Sequence, residues 1–388
     1  MPRTVFHLDL DAFFVAVERR LNPDLVGKPE IVSPGTARAA VAAASYEARR
    51  FGVHSAMPFA AAQRRCPQAV VCPGNFRAYQ DYSRRFFAIL ADYSPQVEPA
   101  SLDEGYLEYT GCEKLFGPAL PAAEAVQRRV LAELGLEVSV GIASSKGVAK
   151  MASDLSKPAG LVRVLPGYEA AFLAPLPIGR LLGVGPKSEA RLRALGIRHV
   201  GDLARLSRAH VSKAFGEGAT GMHALARGRD DSPVARRERA KSVSHEETFV
   251  QDVTDPGTLH HALHRLVCET GYRLRRQGLR ARTVFVKVRY ADFTLRTRAK
   301  TLPEATDIDR VLVAAGRELL GRVLDRRVRL RLIGFGVQNL TAADAQPDLP
   351  ALARRRREES LQVAADAVRA RYGYDSVQWA ALLRQRVD

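Results

Sequence analysis

The order of apolar and polar positions predicts strands and helices that alternate along the first part of the chain. Residues 5–10 (VFHLDL) predict a short buried strand, and helical spacing follows over residues 12–21. The stretches SLDEGYLEY (101–109) and LEVSVGIAS (136–144) also predict strands, the second with alternating Val138, Val140 and Ile142. Strands interleaved with helices favour an α+β sheet that carries helices on one face.

The predicted secondary structure and the composition change further along the chain. Residues 166–230 predict short helices joined by turns that contain Gly. The stretch RGRDDSPVARRERAKS (227–242) is polar and basic, contains Pro233 and lacks apolar periodicity, which is typical of a linker. Strand alternation returns over residues 243–340, and from about residue 341 we expect a Pro-containing loop and then a helical tail.

The second alternating region combines apolar and basic positions. Three of its segments are ARTVFVKVRYADF (281–293), TLRTRAK (294–300) and VRLRLIGFGV (328–337). In the first segment the buried face is expected to consist of Val284, Val286, Val288 and Tyr290. Basic residues recur between apolar ones, and we expect them to form one charged face: Lys287, Arg289, Arg296, Arg298, Arg329 and Arg331. An ordinary soluble face would mix Glu with Arg, so the near absence of Glu favours contact with a phosphate backbone.

Composition adds a domain count and a class of partner. The 388 residues are too many for one compact domain and indicate two to four, with 46% hydrophobic residues to build their cores. The formal net charge is +17 and the sequence pI is about 10.1. Such an excess favours a polyanionic partner, with nucleic acid preferred over an anionic membrane surface or a generally basic proteome.

Two classes of protein are disfavoured by the sequence. No apolar run is long enough to span a bilayer, and acidic residues interrupt the N-terminal stretch where a signal peptide would be apolar. We therefore expect a cytoplasmic protein with no membrane partner. The cysteines show no CxxC spacing, so neither a zinc site nor a disulfide framework is predicted: Cys66, Cys72, Cys112 and Cys268.

Two acidic motifs, HLDLDAFF (7–14) and SLDEGY (101–106), suggest metal-dependent chemistry. Phosphoryl transfer by two metal ions about 4 Å apart needs carboxylate and carbonyl oxygen ligands. On a strand Asp9 and Asp11 would share a face, whereas adjacent Asp103 and Glu104 would not, so a turn or bend is expected at the latter pair. Either motif alone is more often solvated surface, but their apolar flanks suggest carboxylates embedded in a sheet, where a cation would stabilise them.

Five segments, in order, resemble the successive motifs of Y-family DNA polymerases, in particular the DNA polymerase IV branch. The resemblance spans roughly residues 4–340, and five ordered motifs are very improbable by chance. The segments are HLDLDAFFVAVE (7–18), ASYEARRFGV (44–53), SLDEGYLEY (101–109), SVGIASSKGVAKMASDLSKPAG (139–160) and GVGPKSEARLRALGI (183–197).

The resemblance implies an α+β multidomain protein with the right-hand arrangement of a polymerase. Its palm would combine an antiparallel or mixed sheet with helices, beside small fingers, a helical thumb with a helix–hairpin–helix, and a C-terminal α/β little-finger domain. The segment KSVSHEETF (241–249) resembles the family's entry into the little finger. The expected boundaries are residues 1–10 and 76–165 for the palm, 11–75 for the fingers, 166–230 for the thumb, 231–242 for the linker, 243–340 for the little finger and 341–388 for a partly helical tail.

The resemblance also implies a metal site. Asp9, Asp103 and Glu104 fall on the family's metal ligands and catalytic carboxylates, and the carbonyl of Leu10 falls on its backbone ligand. Two Mg²⁺ ions are expected, with Mn²⁺ as a substitute. Asp11 falls on a position that is not a ligand, and we interpret it as structural.

The expected nucleotide pocket follows from the same motifs. Phe14 falls on the steric gate, where an aromatic ring under the sugar leaves no room for a 2′-hydroxyl; the alternative is a core residue like Phe13. Tyr46 and Arg49 lie three apart, on one face of a helical turn, and fall on positions that hydrogen-bond the triphosphate. Lys157, which precedes a helix-breaking proline, falls on a lysine that reaches the triphosphate.

Other residues near these motifs are given smaller roles. Lys146 and Lys150 are expected to contact DNA or solvent, and Ser101 and Tyr106 are candidates for supporting the carboxylates. Gly105 stands where the family more often has Ala, which loosens the backbone slightly and removes no ligand.

The segment 183–197 predicts a helix–hairpin–helix that grips DNA. Gly183 and Gly185 permit a tight turn, and Pro186 can begin the next helix, whose backbone N–H groups can donate to a phosphate. Lys187 adds charge. Apolar spacing supports the helix that follows, at Ala190, Leu192, Leu195 and Ile197.

The tail leaves its role open. Relatives often end in a clamp-binding peptide of the form Gln-x-x-Leu plus an aromatic residue. QPDLPAL (346–352) keeps Gln346 and Leu349 but has Pro350 and no Phe, so a sliding-clamp motif here is degenerate. RRRREESLQVAADAVRARYG (354–373) predicts an amphipathic helix that could contact a clamp, DNA or a partner protein.

The resulting hypothesis is a template-directed DNA polymerase that joins a dNTP to a primer 3′-hydroxyl and releases pyrophosphate. By analogy with the family, low fidelity, lesion bypass and no proofreading are expected, with primer–template DNA and dNTP as partners of a monomer. One alternative is a catalytically inactive polymerase-like scaffold of a mutagenic repair complex, in which the carboxylates would be lost. Another is a nucleotidyl cyclase with a palm-like sheet, which would need no hairpin motif and no basic sheet.

Overall fold

The computed structural model describes residues 2–235, 240–324, 328–342 and 352–382. The chain divides into two compact units, Met1–Arg237 and Glu238–Asp388. Within the described ranges, no helix is both long enough and apolar enough to cross a membrane.

The strands of the first unit are short and lie mostly in its first 165 residues. They are β1 Val5–Leu10, β2 Glu30–Val32, β3 Ala43–Ala44, β4 Val70–Cys72, β5 Val97–Pro99, β6 Glu104–Glu108, β7 Val138–Ala143 and β8 Leu161–Arg163. Among the described residues they form a five-stranded sheet in the order β5–β6–β1–β7–β8 and a three-stranded sheet in the order β3–β2–β4.

The helices of the first unit pack on these sheets and then form a helical region of their own from residue 169 onward. They are α1 Phe13–Leu21, α2 Tyr46–Arg49, α3 Phe59–Arg65, α4 Phe76–Ala91, α5 Glu113–Phe116, α6 Ala119–Leu134, α7 Lys146–Ser156, α8 Glu169–Leu173, α9 Pro186–Ala194, α10 Val200–Arg205, α11 Arg208–Phe215 and α12 Thr220–Ala226. A 3₁₀ turn, Ile178–Arg180, precedes α9. The prediction of short helices over 166–230 is confirmed.

Strand β1 is the centre of the larger sheet, and every one of its residues is buried. Phe6, Leu8 and Leu10 face a core shared with α1, α4 and α6. Val5 belongs to a different core, which includes Val148, Ala149 and Ala152 of α7. The expectation of helices on one face is therefore wrong, because α7 covers the second face. The sequence did not reveal this, because the second face of β1 carries the polar residues His7 and Asp9 beside Val5.

Helix α7 approaches β7 unusually closely at Gly141. A Cβ atom at Gly141 would lie 1.9 Å from the carbonyl oxygen of Ala149 and 2.5 Å from the backbone nitrogen of Ser153. Only a residue without a side chain allows the helix to rest on the strand at this distance. This contact sets the position of the α7 side chains over the sheet.

The start of the predicted linker packs on the first unit. The Asp230 carboxylate accepts a 2.7 Å hydrogen bond from the backbone N–H of Gly147, and Val234 is buried. The backbone N–H of Ala235 donates to Glu98 at 3.0 Å. Residues 236–239 of the predicted linker lie outside the described residues.

The second unit is an antiparallel sheet with helices packed on it. Its elements are β9 Ser242–Val253, α13 Pro256–Arg276, β10 Leu279–Tyr290, β11 Leu295–Thr306, α14 Asp309–Val323, β12 Leu330–Ala342 and α15 Leu352–Tyr372, followed by 3₁₀ turns at Tyr374–Ser376 and Ala380–Leu382. The strand order is β11–β10–β12–β9. Apolar residues of α13 and α14 share one core with the buried face of β10, which consists of Val284, Val286, Val288 and Tyr290 as predicted.

The expected single basic face is wrong for two residues of β11. Val288 pairs with Arg296 and Val286 pairs with Arg298, whereas Lys287 pairs with Thr297. Residues paired directly across antiparallel strands share a face. Arg296 and Arg298 therefore lie on the face of the buried valines, opposite the face that carries Lys287, although both arginines are exposed at the edge of the sheet.

The other face carries acidic as well as basic residues. Glu246 of β9 forms a 2.7 Å ion pair with Lys287 of β10. The two side chains meet across Gly334, which pairs with both residues. The expected absence of Glu was therefore wrong, because the neighbouring strand in space is β9, which is distant in the sequence. Arg331 on this sheet stacks over the Phe293 ring at 4.9 Å.

The tail helix is confirmed, and it is held by ion pairs to its own unit. Asp366 of α15 contacts Arg275 of α13 at 2.6 Å, and Arg275 also pairs with Asp309 of α14 at 2.7 Å. Glu359 pairs with Arg280 of β10 at 3.1 Å. Residues 346–351 of the degenerate clamp-binding segment (346–352) lie outside the described residues.

We expect Gly141→Ala to lower the free energy of unfolding of the chain by about 3 kcal/mol, because the new methyl group would overlap backbone atoms of α7. Denaturant unfolding followed by circular dichroism measures this change. The matched control is Gly221→Ala in α12, where no atom lies within 4 Å of the added Cβ. That control should change stability by less than about 1 kcal/mol, and equal stability of the two variants would contradict the close approach.

Candidate active site

The carboxylates of the two acidic motifs meet at the middle of the larger sheet. Asp9 near the end of β1 pairs directly with Glu104, the first residue of β6, so their side chains share a face. Asp103 lies in a bend just before β6, and its carbonyl oxygen accepts a 2.9 Å hydrogen bond from the N–H of Leu10. The predicted bend at the Asp103–Glu104 pair is therefore present.

Asp9 is buried and contacts a lysine. Its Oδ2 lies 2.7 Å from the Nζ of Lys157, the residue that ends α7. Burial raises the pKa of the Asp9 carboxyl to about 7, although the Lys157 ammonium acts in the opposite direction. An ionised carboxylate at this position depends on a nearby cation for its stability.

Glu104 is held by two groups that the motifs did not indicate. The Nε2 of His7 lies 3.4 Å from its Oε2, and the Lys150 ammonium donates to the same oxygen. His7 and Lys150 together hold the pKa of Glu104 well below its usual range. The expectation that Lys150 contacts DNA or solvent was wrong, because α7 directs this side chain into the sheet.

His7 was missed by the sequence reasoning, although it lies on the same strand face as Asp9, two residues away. It is fully buried, and its Nδ1 lies 2.6 Å from the Ser153 hydroxyl. Burial lowers the pKa of His7 from its usual value. The signals in the sequence were the period of two between His7 and Asp9 and the seven-residue spacing of Lys150 and Lys157.

Asp11 is turned away from Asp9. Strand β1 ends at Leu10, and Ala12 takes a left-handed conformation with φ of 45°, so the predicted shared face of Asp9 and Asp11 is wrong. The Ser139 hydroxyl lies 3.0 and 2.9 Å from the two Asp11 oxygens, and the N–H of Ala159 donates to Asp11 at 2.7 Å. These contacts support the structural interpretation of Asp11.

The donor set suits a hard divalent cation. Carboxylate and carbonyl oxygens are the ligands that Mg²⁺ prefers, and the raised pKa of buried Asp9 marks a carboxylate that a cation would stabilise. In the part of the chain that the structure describes, no three His, Cys, Asp or Glu side chains are arranged to hold a metal ion. Asp9 and Glu104 are turned toward the ammonium groups of Lys157 and Lys150.

One small cavity brings most of the predicted metal-binding and nucleotide-binding residues together. It has a volume of about 130 Å³. Predicted residues that line it are Asp9, Leu10, Phe14, Tyr46, Arg49, Asp103 and Lys157, beside Ala42, Ala43 and Ser55. Residues from positions 9 to 157 thus meet in one place, and Glu104 lies beside it through its pairing with Asp9.

Phe14 and Phe13 have different surroundings. Phe13 is buried in the core, as expected, whereas Phe14 is partly exposed, and both residues line the cavity. The Phe14 ring stacks on Tyr79 of α4 with centroids 4.2 Å apart. Tyr79 is fully buried, and its hydroxyl donates to Glu18. The sequence offered no signal for Tyr79, because its contact with Phe14 depends on how α4 packs on α1.

Tyr46 and Arg49 lie together on the short helix α2. The Arg49 guanidinium lies 4.8 Å from the centre of the Tyr46 ring, and its Nε donates to the carbonyl of Ala44 at 3.0 Å. Burial raises the pKa of Tyr46 to about 12, so its hydroxyl remains a donor at neutral pH. A second cavity of about 310 Å³ is lined by Tyr46, Arg49, Lys157 and also Arg180, which the motifs did not indicate.

The segment 183–197 has the predicted turn but only part of the predicted apolar face. Gly183 has φ of +89°, and α9 begins at Pro186 after Gly185. Lys187 and Gly183 line a cleft of about 1050 Å³. The apolar positions Leu192 and Ile197 are buried, whereas Ala190 and Leu195 are exposed, which corrects the prediction for these two residues.

Ser101 and Gly105 flank the acidic pair. The Ser101 hydroxyl accepts from the N–H groups of Asp103 and Glu104, both at 3.2 Å, and contacts the Asp103 carboxylate. A Cβ at Gly105 would lie 2.6 Å from the Phe87 ring and 2.9 Å from the carbonyl oxygen of Glu98. The Gly at this position thus reflects close packing more than a looser backbone.

Lys146 has a structural partner, contrary to the expectation of DNA or solvent contact. Its Nζ forms a 2.7 Å ion pair with Glu98, and both side chains are largely buried. The ammonium also lies 4.7 Å from the centre of the Tyr106 ring. Glu98 in addition accepts the N–H of Ala235, so this group of residues ties the end of the first unit to the edge of its sheet.

Three family models match the chain. A model described as the impB/mucB/samB family matches residues 8–154, and one described as the C-terminal domain of that family matches residues 240–349. A model described as the IMS family HHH motif matches residues 166–197. Together these matches cover both acidic motifs, the predicted hairpin and the C-terminal sheet.

Several curated proteins are similar to the chain over nearly their whole length. A protein named DNA polymerase IV from Dehalococcoides mccartyi (strain CBDB1) is 42% identical over 379 residues, which is 97% of this chain and 96% of that protein. A protein of the same name from Halorhodospira halophila (strain DSM 244 / SL1) is 42% identical over 352 residues, 89% of this chain and 98% of that protein.

Solved structures share the fold. A Y-family DNA polymerase chimera of Dbh and Dpo4 matches with a TM-score of 0.77 and 28% identity, covering 87% of this chain and 99% of the other. An insertion ternary complex of Dbh DNA polymerase matches with a TM-score of 0.63, at the same identity and coverage.

We expect Lys146→Met to lower the free energy of unfolding by about 3 kcal/mol, because it leaves Glu98 buried without its cation. Its affinity for primer–template DNA should stay within about twofold of the native value, a change of ~0.4 kcal/mol. Denaturant unfolding and fluorescence anisotropy with labelled DNA measure the two quantities. Lys187→Met is the matched control, since Lys187 is exposed; weaker DNA binding by Lys146→Met without a loss of stability would contradict the structural role.

Proposed function

The chain belongs to the Y family of DNA polymerases, and we propose that Asp9, Asp103 and Glu104, with the carbonyl of Leu10, hold its catalytic divalent metal ions. It is a DNA-directed DNA polymerase of the translesion type, as its similarity to proteins named DNA polymerase IV and to Y-family structures shows. The expected α+β multidomain polymerase fold is confirmed. The scaffold and cyclase alternatives are not favoured.

Polymerases of this family depend on divalent metal ions in general, and we infer that two Mg²⁺ ions, or Mn²⁺ in their place, bind here. Such ions supply positive charge to the reacting phosphate and the attacking 3′-hydroxyl. The observation that supports this assignment is the single cavity lined by Asp9, Leu10 and Asp103 together with Phe14, Tyr46, Arg49 and Lys157. Carboxylates and hydrogen-bond donors suited to phosphate thus line the same space, as phosphoryl transfer would require.

The nucleotide would be held by side chains that line the same cavity as Asp9 and Asp103. The Tyr46 hydroxyl, the Arg49 guanidinium and the Lys157 ammonium are hydrogen-bond donors suited to a triphosphate. Phe14 would pack under the deoxyribose as a steric gate. Its stacking on the fully buried Tyr79 keeps the ring from moving away from a bulkier sugar.

We propose that each of the two units contributes residues that contact primer–template DNA. One of the matched structures is an insertion ternary complex of Dbh DNA polymerase, which supports DNA and nucleotide as ligands. In the first unit the turn at Gly183 and Gly185 and the side chain of Lys187 are the proposed contacts. In the second unit the proposed contacts are Lys287, Arg289, Arg329 and Arg331, with Arg296 and Arg298 on the edge strand.

The sheets support a domain assignment for the first unit. The five-stranded sheet draws its strands from residues 5–10 and 97–163, which suits a palm of residues 1–10 and 76–165. The three-stranded sheet lies within residues 30–72, which suits fingers of residues 11–75. The helical thumb (166–230), the linker (231–242), the little finger (243–340) and the tail (341–388) complete the proposed boundaries.

The metal assignment predicts that Asp103→Ala plus Glu104→Ala lowers primer extension by about 10³-fold or more, because ligands for the cations are lost. Binding of primer–template DNA should persist, since removing negative charge does not weaken attraction to phosphate. Primer extension with dNTPs and Mg²⁺, and anisotropy with the same DNA, measure both.

The matched control for that double variant is Asp24→Ala plus Glu124→Ala, which removes two exposed carboxylates and changes the net charge equally. It should extend primers at the native rate. If the native chain and the Asp103→Ala plus Glu104→Ala variant both bind DNA and extend equally, or neither extends, the assignment of the metal ligands is wrong.

The gate assignment predicts that Phe14→Ala reduces discrimination against ribonucleotides by about 10²-fold, or ~3 kcal/mol. The physical reason is the space opened beneath the 2′-position. The measurement is the ratio of kcat/KM for a dNTP to kcat/KM for the matching rNTP. A variant that is merely damaged would lower both constants together and leave the ratio unchanged, which would argue against a gate.

A further inference from the structure

The buried ring of His7 lies between Glu104 and helix α7. Its Nδ1 is 2.6 Å from the Ser153 Oγ, and its Nε2 is 3.4 Å from the Glu104 Oε2. His7 and Ser153 are both fully buried, so water does not compete for these contacts. A buried imidazole whose two nitrogens face a hydroxyl and a carboxylate is held in one orientation.

The Glu104 carboxylate can only accept a hydrogen bond, and this decides which nitrogen of the ring would have to carry the proton. The N–H of a neutral ring can point to Glu104 only if Nε2 carries the proton, and Nδ1 then accepts from the Ser153 hydroxyl. The Ser153 hydroxyl donates to the Lys150 carbonyl oxygen at 2.8 Å, so it must turn from that acceptor to donate to Nδ1 of His7. Donation to His7 leaves a ring N–H for the carboxylate.

Helix α7 therefore approaches Glu104 by two routes. Lys150 reaches the carboxylate directly, and Ser153, three residues further on the same helix face, reaches it through His7. The close contact of α7 with Gly141 fixes the height of both side chains over the sheet. The backbone N–H of Ser153 is itself one of the atoms nearest to Gly141.

We propose that His7 is a positioning residue for Glu104. The series of contacts from the Ser153 hydroxyl through the imidazole to the Glu104 carboxylate orients that carboxylate for a metal ion. The inference rests on the proposed role of Glu104 as a metal ligand. The ring does not touch the metal, the nucleotide or DNA in this scheme. It limits the rotation of a carboxylate that a flexible lysine alone would hold loosely.

Loss of such a supporting group has a typical effect on metal affinity. Removing the hydrogen-bond partner of a metal ligand typically lowers metal affinity or activity by about 10- to 100-fold. A residue needed only for packing would instead change the stability of the whole chain and leave metal affinity in the folded fraction unaltered. Metal affinity therefore separates the two roles.

A pair of substitutions at residue 7 tests the chain of hydrogen bonds. The amide nitrogen of Gln can take the place of Nε2, so His7→Gln keeps a donor at Glu104, whereas the shorter Asn in His7→Asn reaches only toward Ser153. The protein is used as its complex with a dideoxy-terminated primer–template and the matching dNTP, which cannot react. Bound Mn²⁺ is measured by electron paramagnetic resonance as Mn²⁺ is added, and the Mg²⁺ dependence of primer extension is measured separately.

We expect His7→Asn to weaken Mn²⁺ binding by about 10- to 100-fold and His7→Gln to stay within about threefold of the native complex. Anisotropy with labelled primer–template should show unchanged DNA affinity for both. Equal Mn²⁺ affinity of His7→Asn and the native chain would overturn the positioning role, as would equal weakening by both substitutions.

A second pair on α7 keeps the test decisive if a residue-7 variant does not fold. Ser153→Ala removes the hydroxyl that faces His7. Ser156→Ala removes a similar bond, in which the Ser156 hydroxyl donates to the carbonyl of Ser153 at 2.9 Å without touching His7. Ser153→Ala should weaken Mn²⁺ binding and Ser156→Ala should not; the same effect from both would overturn the proposal.

Glu104→Gln separates failure of this inference from failure of the proposed function. If Glu104→Gln binds Mn²⁺ as the native complex does, Glu104 is not a ligand, and both the metal assignment and the positioning role are overturned. If Glu104→Gln weakens Mn²⁺ binding while His7→Asn and Ser153→Ala do not, the metal assignment stands and only the positioning role is overturned.

Discussion

The carboxylates of Asp9 and Glu104 lie side by side on paired strands, with Asp9 buried and Glu104 partly buried, so water screens the repulsion between their negative charges only in part. Helix α7 and the residue after it supply the cations that compensate this repulsion, since Lys150 contacts Glu104 and Lys157 contacts Asp9. Both lysines can reach the sheet because α7 rests on β7 where Gly141 has no side chain. The site therefore depends on a helix-to-strand distance that a single methyl group would change.

This constraint explains why the sheet of the first unit carries so many polar groups in its interior. His7, Asp9, Asp11 and Ser139 are all buried, and each has a partner on a neighbouring segment. Such groups are stable in a protein interior only when they are hydrogen-bonded or paired. The apolar residues on the other side of β1 supply the packing that stabilises this arrangement, because α4 and α6 cover them completely.

The basic composition does not translate residue by residue into DNA contacts. In the second unit Arg275 and Arg280 are engaged by Asp366 and Glu359 of the tail helix. In the first unit Lys146 and Lys150 pair with carboxylates of the sheet. Part of the positive charge is thus structural, and the remainder is available to a phosphate backbone.

Short-range patterns were sufficient to identify β1, the bend at the Asp103–Glu104 pair before β6, α2 with Tyr46 and Arg49, and the buried valines of β10. These features depend on periodicities of two or three to four residues that a segment carries within itself. Short-range patterns did not identify the partners of Lys146 and Lys150. They also did not identify the stacking of Tyr79 on Phe14 or the face on which Arg296 and Arg298 lie. Each depends on which distant segment packs nearby and in what register, and a shift of one residue reverses the face of a whole strand. The local sequence carries the chemistry of each side chain, and the packing of remote segments decides what that side chain meets.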